Sequence, residues 1–123
     1  MIMSANRTVY VVDPEPEGYQ TLMQGVKGQQ TRFEFVSSGR DALRRNAKAR
    51  PDLWIINVRL PDMSGMDLQQ MLHARNPDVP CYLVGDQYQP EDEVKARQCG
   101  ATMYFCKPLR REWVVSANTD ADP

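Results

Sequence analysis

Residues 53–56, Leu-Trp-Ile-Ile, form an unbroken apolar run that ends in the polar Asn57 and passes at once into a loop carrying Pro61 and Gly65. A short apolar run bounded by turn signals suits a strand covered on both faces, the condition of a central strand in a parallel sheet. Residues 8–12 (TVYVV), 79–85 (VPCYLVG) and 102–106 (TMYFC) repeat the pattern with β-branched and aromatic side chains. Residues 31–38 alternate around Phe33 and Phe35 and predict a further strand at a sheet edge.

Helical spacing fills the intervals. Tyr19, Leu22, Met23 and Val26 share one face, and Ala42, Leu43 and Ala47 share another on a polar stretch stopped by Pro51. Met66, Leu68, Met71 and Leu72 follow Ser64-Gly65 up to Arg75-Asn76-Pro77, and PEDEVKARQ is closed by Cys99-Gly100. The tail LRREWVVSAN has room for two or three turns. Five strands alternating with four or five helices predict an open, parallel α/β sheet. The chain reads as a single domain over 1–123, with its core at about 7–115.

Composition narrows the function. The chain is 41% hydrophobic and 25% charged, so a packed core is expected and disorder is not. With 15 basic against 16 acidic residues the net charge is −1, which supplies no bulk attraction to nucleic acid or an anionic membrane. No apolar run approaches the roughly 20 residues of a membrane span, and MIMSANR lacks the apolar centre of a signal peptide. Direct DNA binding by this chain alone is not expected, since no second helical domain follows before Pro123. Cys81, Cys99 and Cys106 are an odd set without metal-ligand spacing, and are expected to be buried free thiols in a reducing cytoplasm.

In an open α/β sheet the working site lies outside the carboxyl ends of the strands. Strand one ends in Asp13-Pro14-Glu15, strand three in Asn57, strand four in Gly85-Asp86 and strand five in Cys106-Lys107-Pro108. A carboxylate, an amide and a lysine are therefore expected to converge in one shallow crevice.

At this point the segments VVDPEPE, PDLWIINVRLPDMSG, CYLVG and GATMYFCKP together resemble the receiver domain of bacterial two-component response regulators, over about Thr8 to Trp113. The resemblance implies a flavodoxin-like, doubly wound five-stranded sheet of order 2-1-3-4-5. It also implies an acceptor aspartate at the end of strand three, an acidic pair for Mg²⁺ after strand one, a Ser or Thr ending strand four, and a Lys-Pro ending strand five. Here Asn57 stands at the acceptor position, Pro14 at the second acid and Gly85 at the hydroxyl, while Asp13 and Lys107 remain. Tyr104 matches the aromatic that swings inward in many phosphorylated receivers.

An acyl phosphate needs a carboxylate nucleophile, and an amide oxygen is far too weak a base to serve. Mg²⁺ is a hard cation that favours charged oxygens, so its binding at Asp13 is expected to be weak or absent. The expectation is a non-catalytic pseudo-receiver, acting in phosphorelay-type signalling through a surface that includes Val94, Arg97, Tyr104 and Trp113. Its partner would be a sensor kinase, an effector or a second receiver copy. Two alternatives stand beside it: a phosphoacceptor using a displaced acid such as Asp62, and a small-molecule binder of the flavodoxin kind.

Quieter roles are expected for several of these residues. Asn57 can bond loop backbone or Lys107, Asp13 can pair with Lys107, and Glu15 can sit at a helix N-terminus. Tyr104 can simply pack. Arg40, Arg44 and Lys48 form a basic stripe on a solvated face, with Asp41 placed to pair with Arg45.

Overall fold

The computed structural model describes residues 7–24 and 31–114. Val26 and Val115 lie outside the described residues, as does the side chain of Met23. The element order is β1 (Arg7–Val12), α1 (Gln20–Gln24), β2 (Thr31–Val36), α2 (Gly39–Lys48), β3 (Leu53–Asn57), α3 (Gly65–Arg75), β4 (Cys81–Gly85), α4 (Pro90–Gln98) and β5 (Met103–Cys106), followed by a helical turn at 111–114. The strands form one sheet of order β2-β1-β3-β4-β5, and each neighbouring pair is parallel. This is the expected doubly wound sheet.

Alternation along the strands sorts the apolar residues into two cores, because successive strand side chains point to opposite faces. Tyr10, Val12, Trp54, Ile56 and Leu83 pack with Ala42, Leu68, Leu72 and Ala96 of α2, α3 and α4 on one face. Val9, Val11, Leu53, Ile55 and Val84 pack with Tyr19, Leu22, Leu109 and Val114 on the other. All five residues of β3 and of β4 are buried, which is why those segments read as continuous apolar runs. On β2, at the edge, Glu34 pairs with Arg32 at 3.0 Å and with Arg45 of α2 at 2.8 Å. Charge on an exposed edge discourages pairing with another strand.

The buried faces of α2 and α3 depart locally from the expected apolar spacing. Ala47 is exposed and Asn46 is buried in its place, accepting a 3.0 Å hydrogen bond from Asn76 Nδ2. Asn46 lies four residues after the buried Ala42 and so shares its face, and a side-chain partner lets the amide sit inside. Met71 is likewise exposed while Gln69 is buried. Asp41 pairs with Arg44 at 3.0 Å, since Arg45 is drawn to Glu34.

The loops that carry the site are fastened to helix ends. Ser64 caps α3 by accepting from Asp67 N at 3.0 Å. A side chain at Gly65 would collide with Asn57 O and Val58 Cα, so the start of α3 can lie directly against the end of β3. Asp62 reaches sideways and accepts from Gly39 N and Arg40 N, both at 2.9 Å, at the N-terminus of α2.

Candidate functional site

Asp13, Asn57, Asp86 and Lys107 meet at the carboxyl ends of β1, β3, β4 and β5. Asp13 is buried and makes four contacts. Its Oδ2 accepts from Tyr19 OH at 2.8 Å and from Asn57 Nδ2 at 2.9 Å, and pairs with Lys107 Nζ at 2.9 Å. Its Oδ1 accepts from Glu15 N at 2.9 Å. Asp86 adds a second acid, with Oδ1 at 2.9 Å from Lys107 Nζ and 3.0 Å from Asn57 Nδ2.

The orientation of Asn57 explains why an amide stands there. Its NH₂ group faces both acids, while its Oδ1 accepts from Arg59 N at 2.8 Å. A carboxylate can accept from the backbone but can donate to neither acid, so aspartate here would leave three negative charges around one ammonium. The amide is matched to its neighbours. The expected bond to loop backbone is present, whereas Asn57 and Lys107 share acceptors in place of bonding each other.

Electrostatics follows the same arrangement. Burial works to lower the Lys107 pKa, but hydrogen bonds and charge from Asp13 and Asp86 outweigh it and the net shift is upward. The hydrogen bond from Lys107 holds Asp86 below the usual carboxylate range, with a further downward contribution from Asn57. Burial, and then the charge and hydrogen bond of Asp13, push the Tyr19 hydroxyl far above its ordinary value. Gly18, at φ +96°, lets the loop after β1 close over the Lys107 stem, since a Cβ there would lie 2.8 Å from Lys107 Cδ.

The other expected residues separate into near and far. Pro14 and Glu15 are exposed, and Glu15 lies in the loop ahead of α1 and not in its first turn. Asp62 is engaged at the N-terminus of α2, where its bond from Gly39 N holds its pKa down. Tyr104 turns its hydroxyl toward the strand end, 2.7 Å from where a Cβ on Gly85 would stand. Burial, then a contact from the Cys106 thiol, pushes its pKa up to about 12.

Beside it, Tyr88, Val94 and Met103 are exposed, and Arg97 pairs with Glu93 at 3.2 Å. Trp113 is only half-buried and stacks on Phe105 with centroids 4.5 Å apart. All three thiols are free, but only Cys81 is fully buried.

Asp86, placed by the sequence at the end of strand four, and Tyr19, placed on a helical face, are the participants not expected in the cluster itself. Asp86 directly follows Gly85 at a strand end, which was the available signal. Tyr19 was read as core from its helical spacing, and it is core, with its polar end turned onto Asp13.

The donor set does not fit Mg²⁺. Asp13 Oδ2 already faces three donors, Asn57 presents N–H groups where a ligand oxygen is needed, and Pro14 has no side-chain oxygen. A hard cation would have to displace the Lys107 ammonium before meeting the two acids. Among the described residues no group of three or more His, Cys, Asp or Glu is placed to hold a metal ion.

Comparison with known proteins places this geometry in context. The family model described as the response regulator receiver domain matches residues 9–118. The "Probable transcriptional regulatory protein TcrX" of Mycobacterium tuberculosis is 32% identical over 108 residues, 88% of this chain and 46% of that protein. The transcriptional regulatory protein CssR of Bacillus subtilis is 29% identical over 109 residues, 88% of this chain and 48% of that protein. The chain thus spans about half the length of these curated relatives. Among solved structures, the BeF3-activated receiver domain of DrrB from Thermotoga maritima superposes with a TM-score of 0.79 at 22% identity, covering 94% of this chain and 97% of that one. The chemotaxis regulator CheY4 of Vibrio cholerae gives 0.77 at 23%, covering 94% and 98%.

Proposed function

Because this chain belongs to the response regulator receiver family while its crevice is organised around an amide, we propose that it is a pseudo-receiver: a non-catalytic, cytoplasmic signalling module that works without phosphorylation. The observation that carries this reading is the two-sided bonding of Asn57, which donates to Asp13 and Asp86 and accepts from Arg59 N. A phosphoacceptor must offer a carboxylate oxygen to a phosphorus atom. Asn57 offers no charge, and its weakly basic Oδ1 is turned to Arg59 N. Asp62, the displaced acid, is occupied at the N-terminus of α2.

The module would signal through the face of α4 and β5. Tyr88, Val94 and Met103 leave apolar surface in water there, with Arg97 and Glu93 among them and Tyr104 beneath. Apolar surface with interspersed charge suits a protein partner, whether sensor kinase, effector or second receiver copy. Trp113 would support this face from behind through its stack on Phe105. No helix among the described residues is long and apolar enough to cross a membrane.

Incubation with a small-molecule phosphoryl donor and Mg²⁺, followed by intact-mass measurement, tests the reading. The expected result is an unchanged mass. A stoichiometric adduct labile to hydroxylamine would overturn it and direct attention to Asp62 or Asp86.

A further inference from the structure

We propose that Asp86 is an internal anionic ligand of the crevice, holding with its own carboxylate the place where Lys107 and Asn57 would otherwise take an external oxyanion. The inference rests on the pseudo-receiver reading and concerns how its single state is kept.

Asp13 has its oxygens filled from within the fold, by Tyr19 OH, Glu15 N, Asn57 and Lys107. Lys107 and Asn57 each have donor capacity beyond that one acid, with three N–H groups on the ammonium and two on the amide. Their second bonds converge on one oxygen, Asp86 Oδ1, at 2.9 and 3.0 Å. Two donors from different strands aimed at one point make an oxyanion position, and Asp86 fills it.

The two acids are built differently. The Asp13 side chain is 1% exposed and that of Asp86 is 55% exposed, so Asp86 enters from the solvent side, as a bound ion would. Without it, Asp13 and Lys107 form a neutral pair whose remaining donor directions point outward. Phosphate-type oxyanions satisfy such donors through charge-assisted bonds. A short, exposed side chain at the start of a loop can also leave its position without unfolding the sheet.

Side-chain NMR of ¹⁵N-labelled full chain, as wild type, Asp86→Ala and Asp86→Asn, tests the proposal. Lys107 ammonium and Asn57 amide signals are followed during titration with inorganic phosphate, against chloride at matched ionic strength. In wild type the Lys107 protons are expected to be protected from solvent exchange and neither group to shift with phosphate. In Asp86→Ala the protection is lost, and both groups shift saturably with phosphate but not with chloride.

Asp86→Asn keeps the shape and an acceptor oxygen, and serves as the folded comparison if the alanine variant is unstable. It is expected to lose part of the protection and to respond weakly. Lys107 and Asn57 signals that coincide in all three proteins would overturn the proposal, as would a wild type that takes up phosphate as readily as the variants. A phosphoryl adduct in the mass experiment would instead remove the reading beneath it, without deciding what Asp86 does in the unmodified protein.

Discussion

The Tyr104 hydroxyl stands over Gly85, 2.7 Å from the point where a Cβ would be. The two residues occupy one space. A Ser or Thr at 85, as the family resemblance implies, would compete with the inward ring, whereas glycine leaves that space to the Tyr104 hydroxyl. An equilibrium does not move without a ligand that favours one conformer. The inward ring is therefore expected to be constitutive.

Gly85→Ala is expected to drive Tyr104 outward. Overpacking at a filled site typically costs about 1–3 kcal/mol, and outward rotation should hold the loss near the lower end. The Tyr104 side-chain rotamer, from a crystal structure or NMR couplings of the variant, checks this. An inward ring in Gly85→Ala at unchanged stability would show that the two do not compete.

Asp13→Ala removes the shared acceptor of Tyr19, Asn57 and Lys107. Breaking a buried ion pair from one side costs about 3–5 kcal/mol, and Asp86 remains to hold Lys107, so the lower figure is expected. Tyr19→Phe removes one hydrogen bond to a charged group, worth about 1.5–3 kcal/mol. The double variant should lose less than the sum, since both changes delete the same bond. Urea unfolding of the three variants measures it, and additive losses would mean that Tyr19 and Asp13 act independently.

Asn57→Asp sets a third carboxylate against Asp13 and Asp86 and removes two donors. Leaving buried polar groups unpaired costs about 1–3 kcal/mol. Pro14→Asp together with Asn57→Asp should bring in stabilisation by Mg²⁺, which rises with free ion as for any ligand that binds only the native state. The wild-type melting temperature should not move over the same Mg²⁺ range. A wild type stabilised as much as the double variant would show that the account of the metal ligands is wrong.

Acid should weaken the crevice before mild alkali does. Asp86 is held below its ordinary value of 3.8, so its contribution is fully present above that pH and is lost as pH falls through its lower folded value. Lys107 is raised above 10.5, so its contribution is complete below that pH and is lost as pH rises through its higher folded value. The stability difference between wild type and Asp86→Asn should thus be flat from about pH 5 to pH 10 and shrink below pH 4. A difference that changes between pH 6 and 8 would point to another titrating group.

Exposed Val94 tests the outer surface without touching the core. Val94→Glu should leave the unfolding free energy within about 0.5 kcal/mol of wild type, the range of ordinary surface substitutions. Self-association or partner capture by the α4–β5 face should fall in the same protein. Trp113→Ala is the less clean variant, since it also removes the stack on Phe105. Sedimentation of wild type and Val94→Glu decides for a second copy, and unaltered association would place the contact elsewhere.

Periodicity and turn chemistry were enough to determine the sheet, its alternating helices and the meeting of Asp13, Asn57 and Lys107 at one end, because a parallel strand buried on both faces writes itself as an apolar run. That an amide, Asn57, ends the third strand was equally legible, being a matter of residue identity. Direction was not. Whether Asn57 turns its NH₂ or its oxygen toward Asp13, and which side chain shares its acceptors, depends on distances of about 3 Å between residues 29 and 44 positions apart.

Asn46 and Gln69 lie inside while Ala47 and Met71 lie outside: Asn46 finds a partner in Asn76, whereas Gln69 is enclosed with its Oε1 unpaired, and polarity alone tells neither outcome. Asp86 follows the same logic. In sequence it is one more acid after a glycine; across the sheet it is the second carboxylate on Lys107, because only folding brings the ends of β3, β4 and β5 to one point.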